Sequence, residues 1–466
     1  MVLQQKEFHN MAKAKLTFWG GVGTVTGANF LLEIADKKIL IDCGLEQGSH
    51  FAEEHNRDPF PYDPAMIDYL FVTHAHADHI GRIPKLVHDG FKGVIYSTPA
   101  TRDLAGVMLP DTLRLIQEEA RRSGVLAMYE GKDVEAAFKL WRTIPYYETF
   151  EVVNGLSVFP KDSGHILGST MYEFSYNGKK IVFTGDLGNS PSLFLRDTDD
   201  ITDANYILME SVYGDRNHES KEERRQKFGD LVRDTIARKR TLVIPAFSLE
   251  RTQDILYELN RLIEKEGVGE VKVFVDSPLA TSVTAIYRSY SNEFKDSARK
   301  YVVAGDDLFD FPKLKFTVHR EESMHVDNAA TPKIIIAGSG MSNGGRVVHH
   351  EKRYLPDRNA TILMPGYQAA NTLGRRILEG AKEVTIDGEK IRINAEVKNI
   401  FGYSSHKDSD HLIEFVEKAA EGGKLKKVFV AMGEPKAAMF LVQRLRDYLG
   451  VDAMFPKQGE TVELDM

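Results

Sequence analysis

Two periods of apolar residues divide the chain. Runs that are continuously apolar or alternate with period two, rich in Val, Ile, Leu and Phe, predict strands over 16–19, 29–41, 69–73, 93–97, 156–160 and 181–184. Segments 80–89 and 113–119 carry the helical period between them. After Glu210 a second series begins, with a helix over 221–238, a strand over 241–245, a helix over 249–266 and strands over 271–276 and 333–337. From Glu396 a strand runs into Phe401, followed by helix 409–420, strand 427–431 and helix 435–449. The alternation predicts layered α/β packing, with the second series as a separate domain. Gly20, Gly21, Gly23 and Gly27 separate the first two strands; their spacing matches neither a P-loop nor a dinucleotide fingerprint, so they predict a loop and hairpin.

Composition narrows the class. With 466 residues, 42% hydrophobic and 27% charged, the sequence reads as a soluble globular protein of one composite unit or two domains. Its single cysteine, Cys43, excludes an internal disulfide and any multi-thiolate zinc site, and fits a reducing cytoplasm. Residues 1–15 lack the apolar core of a signal peptide and no apolar run is long enough to span a bilayer, so a cytoplasmic protein without membrane association is expected. A net charge of −8 argues against coating nucleic acid nonspecifically, which requires neutralising many phosphates. The most basic stretch, 221–240, is interleaved with Glu222, Glu223, Asp230 and Asp234 and predicts a solvated helix face.

The strongest chemical signal is Val72-Thr73-His74-Ala75-His76-Ala77-Asp78-His79-Ile80-Gly81. On an extended segment, side chains two residues apart point the same way, so His74 and His76 converge on one metal. Asp78 and His79, adjacent where the chain turns into a helix, diverge toward a neighbouring metal. Ala75 and Ala77 leave room for that approach. A lone histidine is ordinarily a satisfied core or surface residue, but burying three imidazoles and a carboxylate in so short a stretch without a metal is costly. Imidazole and carboxylate ligands suit zinc, with manganese or iron as substitutes. Ser163-Gly164-His165 and Thr184-Gly185-Asp186 each place a polar residue after an apolar strand. Singly, His165 or Asp186 reads equally as a loop cap; together, a carboxylate such as Asp186 can bridge two cations whose shared hydroxide is a nucleophile near neutral pH. Asp42, at the end of the apolar run 39–41, is placed to hydrogen-bond the loop or a ligating histidine.

The His-x-His-x-Asp-His string, with Asp42 before it and His165 and Asp186 after it, resembles the metallo-β-lactamase superfamily over residues 15–209. The resemblance implies a four-layer αββα sandwich with metals at one edge of its sheets. It implies His74, His76 and His165 on a first zinc, Asp78 and His79 on a second, and Asp186 bridging. That superfamily includes lactamases, thiolester hydrolases, oxidoreductases and nucleases, so the fold alone selects no substrate. Later strings do: Glu210 within Leu208-Met209-Glu210-Ser211-Val212-Tyr213-Gly214, then Pro245-Ala246-Phe247-Ser248 with Arg251 and Gln253, then Asp276-Ser277-Pro278-Leu279-Ala280. Ser339-Gly340-Met341 and Gly366-Tyr367-Gln368 with Thr372-Leu373-Gly374-Arg375 follow. In this order they resemble the β-CASP nucleases, bacterial relatives of the endonuclease subunit that trims eukaryotic pre-mRNA 3′ ends, over almost the whole chain.

In that family an α/β domain is inserted into the lactamase fold, which divides this chain into a lactamase segment 1–209, an insert 210–393 and a return segment 394–466. RNA is expected in the cleft between them. Tyr403-Ser404-Ser405-His406-Lys407-Asp408 matches the family's Ser-x-His-x-Asp motif and makes His406 the candidate acid, with Ser405 beside the phosphate. Ser405 and Asp408 would alternatively cap the helix that begins near Ser409. Asp78, Glu210 and Asp42 complete the candidate catalytic set. Arg375 and the backbone around Gly340 are candidate phosphate contacts, since an arginine fork matches phosphate geometry and small residues permit close approach.

Two positions depart from the family. Glu250 stands where a glycine usually precedes the arginine, and Met432 stands where a histidine usually binds the second zinc. A thioether is a weak acceptor and a soft ligand. The expectation is a zinc-dependent ribonuclease with a weaker second site, in which hydroxide attacks phosphorus in line and the product carries a 5′ phosphate. Met432 also motivates a rival, a degenerate paralogue that holds RNA or a partner nuclease without cutting, although six ligands remain. A small-molecule ester or thiolester hydrolase is a third reading, disfavoured by the insert. The sequence is compatible with a homodimer and does not require one.

Overall fold

Along Asn29–Ile34 and Lys37–Ile41, Phe30, Leu32, Ile39 and Ile41 face one side while Leu31 and Leu40 face the other, the period-two pattern of strands buried on both faces. The run predicted as one strand over 29–41 is a hairpin. Ala35 and Asp36 both take positive φ, 50° and 57°, which a tight two-residue turn requires. The computed structural model describes residues 13–48, 54–369 and 371–466.

Two seven-stranded sheets form the body. The first runs Thr461–Asp465, Lys13–Gly20, Asn29–Ile34, Lys37–Ile41, Tyr69–Phe71, Val94–Ser97, Trp141–Thr143. The second runs Ala453–Met454, Lys427–Val430, Tyr206–Met209, Lys179–Phe183, Thr170–Tyr176, Leu156–Asp162, Phe150–Val153. Between them lie Leu16, Phe18 and Phe71 from one and Phe174, Phe183 and Phe429 from the other, with Phe71 edge-on to Phe174 at 5.1 Å. Helices Ile83–His88, Pro99–Ser123 and Gly131–Leu140 cover the outer face of the first sheet, and Ser409–Ala420 and Pro435–Leu449 cover that of the second. The result is a four-layer αββα sandwich with an α/β insert.

The insert is built on a six-stranded parallel sheet in the order Leu314–Phe316, Lys272–Asp276, Lys333–Ala337, Thr241–Pro245, Ala360–Met364, Glu396–Asn399. The last of these corrects the sequence reading. The strand that was expected to open the return segment at 394 pairs with Ala360–Met364 as an edge strand of the insert, so the chain re-enters the sandwich after Asn399. Loops at the carboxyl ends of the strands, following Pro245, Ala337 and Met364, form the end of a parallel sheet where ligands generally bind.

Three helices differ from expectation. The predicted helix 80–89 is two, Ala77–Ile80 and Ile83–His88, the second with a proline in its first turn. The predicted 113–119 is the middle of Pro99–Ser123, which carries Pro110 inside it and is capped by Thr98 at one end and left-handed Gly124 at the other. In Lys221–Ala237, Arg233 pairs with Glu266 as a solvated face would, but Arg224 is buried over the Tyr403 ring. No described helix is long and apolar enough to cross a membrane.

Candidate metal centre

Asp42 ends the strand Lys37–Ile41 with φ of 60°, an uncommon conformation for a residue with a side chain. That turn aims its carboxylate at the neighbouring strand end. Oδ1 accepts from the Thr73 amide, and Oδ2 accepts from both Thr73 Oγ1 and His79 Nδ1, each at 2.8 Å. Because the Thr73 hydroxyl donates to Asp42, its oxygen is left to accept from His74 Nδ1 at 3.0 Å. His165 Nδ1 donates to the Ser405 carbonyl at 3.1 Å. One nitrogen of each ring is therefore used to orient it, and Nε2 of His74, His79 and His165 remains for a cation.

Those free nitrogens converge. His76 Nδ1 lies 3.0 Å from His74 Nε2 and 3.2 Å from His165 Nε2, and Asp186 Oδ2 lies 3.4 Å from both Nε2 atoms. Asp186 follows the strand Lys179–Phe183 and turns its Oδ1 toward His79 Nε2 at 3.5 Å. The ligand atoms of His74, His76, His165 and Asp186 all fall within 4.8 Å of one another. Burial pushes His74 and His165 well below the usual imidazole value and His76 down to about 3, so all three are neutral and keep a lone pair. Burial would raise the Asp186 carboxyl, but His79, itself raised by Asp186 and Asp42, outweighs it and holds it ionised. His79 Nε2 is buried with no hydrogen-bond partner. Neutral imidazoles, an ionised carboxylate and an orphaned ring nitrogen fit a divalent cation.

A second group adjoins the first. Asp186, Glu210 and His406 also bring ligand atoms within 4.8 Å of one another. His406 Nδ1 sits 3.1 Å from each oxygen of Glu210 and 3.9 Å from Asp186 Oδ2. Burial would lower His406, but the charge and hydrogen bond of Glu210 raise it to about 9. Glu210 also accepts from the amides of Leu187 and Val212. Asp78 is half-buried beside His79, and its carboxyl stands outside both convergent groups. Met432 is buried with φ of 46°, donates its amide to Gly21 and packs into the apolar core between the sheets.

The ligand loops are clamped by backbone. Cys43 and Leu45 donate to the carbonyls of His79 and Ala77, and a Cβ on Gly44 would lie 1.5 Å from the Asp78 carbonyl oxygen. A Cβ on Gly188 would likewise lie 1.9 Å from the Gly164 carbonyl oxygen. Asp408 caps the helix Ser409–Ala420 by accepting from the His411 amide, while Ser405 acts through its carbonyl rather than as a cap. One motif thus supplies both a helix start and a site histidine.

Three family models match the chain: a metallo-beta-lactamase superfamily domain over residues 31–209, a Beta-Casp domain over 252–377 and a Zn-dependent metallo-hydrolase RNA specificity domain over 390–456. Ribonuclease TTHA0252 of Thermus thermophilus is 32% identical over 86% of this chain and 90% of its own length. The chain belongs to the β-CASP family of the metallo-β-lactamase superfamily. Transcription termination factor FttA of Methanosarcina mazei is 30% identical over 97% of this chain and 71% of its length. A crystal structure of a protein of unknown function from Enterococcus faecalis aligns over 97% of this chain and all of its own, with a TM-score of 0.54 and 14% identity, a likeness of fold alone.

As a β-CASP protein the chain is a metal-dependent hydrolase. The remaining β-CASP strings occupy the carboxyl end of the insert's sheet. The Gly340 carbonyl accepts from Gln368 Nε2, and a Cβ there would meet the Phe247 ring at 2.7 Å. Arg375 donates to Glu379 on its own helix at 2.6 Å. Glu250 takes the left-handed φ of 66° that suits the glycine common at this β-CASP position, and its buried carboxyl accepts from Tyr287 Oη, which in turn accepts from the Leu167 amide beside His165. Sequence reasoning did not single out Thr73, the hydroxyl between Asp42 and His74, although its place at the strand end next to the first ligand is a usable signal.

If Asp42 orients two metal-site histidines, Asp42→Ala lowers metal affinity by about 10- to 100-fold. Competition with a chromophoric chelator reads this directly, and unchanged affinity would show that the loop holds its shape without the carboxylate.

Proposed function

We propose that the protein is a zinc-dependent ribonuclease that hydrolyses RNA phosphodiester bonds in the cleft between sandwich and insert. The observation that carries the reading is the convergence of His74, His76, His165 and Asp186 beside the paired Glu210 and His406. RNA as substrate is supported by the name of the Thermus relative and by the description of the model matched at 390–456. Zinc suits the imidazole and carboxylate donors, and the single, buried cysteine suits a reducing cytoplasm.

The convergent groups support the following roles, with Asp78 and His79 assigned from the family resemblance. His74, His76 and His165 with Asp186 would hold a first zinc, and His79, Asp78 and the shared Asp186 a second. Bound zinc supplies a hydroxide nucleophile and neutralises charge on the phosphate. Glu210 grips His406 through Nδ1, and its charge favours the protonated imidazole. His406 then gives a proton to the departing 3′ oxygen, leaving a 5′ phosphate. Incubating the purified protein with end-labelled RNA before and after metal removal tests the reading: chelation abolishes cleavage and added zinc restores it. Full cleavage by metal-free protein refutes it, and RNA binding without cleavage in zinc points to the non-cutting paralogue.

His406→Ala lowers the cleavage rate by about 10² to 10⁴ while zinc content stays unchanged; loss of zinc along with activity would make His406 a ligand instead. Met432 leaves the second metal without a ligand from its strand, so titration should resolve one tight and one weak site. Met432→His tightens the weak site and raises the cleavage rate, whereas two equal sites in the unaltered protein would mean that another side chain fills the gap.

A further inference from the structure

Arg251 opens the helix Arg251–Asn260 at the carboxyl end of the insert's sheet and is only 6% exposed. Its guanidinium is unpartnered: Nε and Nη1 are buried without a hydrogen bond, and among the described residues the side chain makes no ion pair. A buried cation without partners is expensive, because each unmet donor keeps its desolvation penalty. Two carboxylates nearby, Asp254 and Glu250, act on its charge without hydrogen-bonding Nε or Nη1, and Glu250 accepts from Tyr287 instead. Arg375 is held by Glu379 and Arg224 donates to Gly402, so Arg251 differs from both.

Its position shows what it is for. Nη2 lies 3.6 Å from where a side chain on Gly366 would begin, and the Ser404 amide, two residues before His406, lies 3.8 Å from the same point. Gly366, with φ of 115°, leaves that space open. Arg251 acts electrostatically on the ligand His76 and on Tyr213, whose ring centroid is 6.3 Å from that of His406. The guanidinium therefore sits where the insert, the return loop and the metal centre meet. We propose that Arg251 binds an RNA backbone phosphate next to the scissile one and so positions the strand across the metal centre. The inference rests on the RNA-hydrolysing reading above. A phosphate in that space would take a charge-assisted hydrogen bond from Nη2, the guanidinium nitrogen that is not closed off, and would neutralise the buried charge.

Arg251→Met and Arg251→Lys separate a phosphate contact from a structural role. Binding of a fluorescent oligoribonucleotide is measured by anisotropy in a His406→Ala background across a salt series, and KM and kcat are measured with His406 intact. Arg251→Met should weaken binding and raise KM by about 10- to 100-fold, with zinc content unchanged, and flatten the slope of log affinity against log salt by about 0.7, the loss of one single-strand phosphate contact. Arg251→Lys keeps the charge, so it should retain the slope while still losing affinity, because a strongly hydrated ammonium replaces the Nη2 donor. Removing an unpaired buried charge should leave the melting temperature of Arg251→Met equal or higher. A marked fall in its melting temperature, or affinity and slope equal to the unaltered protein in either variant, overturns the proposal. If the unaltered protein neither binds nor cuts RNA, it is the ribonuclease reading that fails.

Discussion

A single carboxylate organises the site. Asp42 lies at the end of one strand and spends both oxygens on the end of the next, so the loop that follows Phe71 has little freedom left. The chain from Asp42 through Thr73 to His74, and directly from Asp42 to His79, fixes which nitrogen of each ring faces inward. His165 is oriented in the same way by the Ser405 carbonyl, which belongs to the loop that carries His406. The site is thus held by hydrogen bonds among residues far apart in sequence, and the sandwich supplies the rigid strand ends from which they are made.

The two departures from the family pattern have different physical characters. Glu250 keeps the backbone conformation of the glycine it replaces and finds a partner in Tyr287, turning an unusual residue into a link between the insert and the His165 loop. Met432 gains burial in the apolar core and offers the site no hard donor. The first substitution is compensated within the protein. The side chain of the second has no polar partner among the described residues.

What was legible in the sequence was what is local. His74, His76 and His79 fall within one strand end and its following turn, so spacing alone placed them, and the apolar runs gave the strands that position Asp42 and Asp186. The long helix Pro99–Ser123 was only partly visible because Pro110 interrupts the pattern, and Glu396–Asn399 was assigned to the wrong sheet because pairing partners are not written in a strand's own residues. Ser405 and Asp408 were read as side-chain functions, yet Ser405 works through its carbonyl, which no sequence motif specifies. The isolation of Arg251 was equally invisible, since a missing partner is a property of three segments folded together.

The order of strands in the two sheets sets a timetable for the molecule. Lys13 pairs with Glu463, 450 positions away, and Lys427–Val430 inserts beside Tyr206–Met209 in the second sheet. A ribosome-bound chain that has already made every histidine of the first metal group still has an open edge on each sheet, with Leu16 and Leu208 short of neighbours. Contacts this distant are slow to form, and the exposed edges would be open to pairing with other chains in the interval. Both edges are covered only by residues beyond 426, and the carbonyl that orients His165 also comes from this late part of the chain, at Ser405.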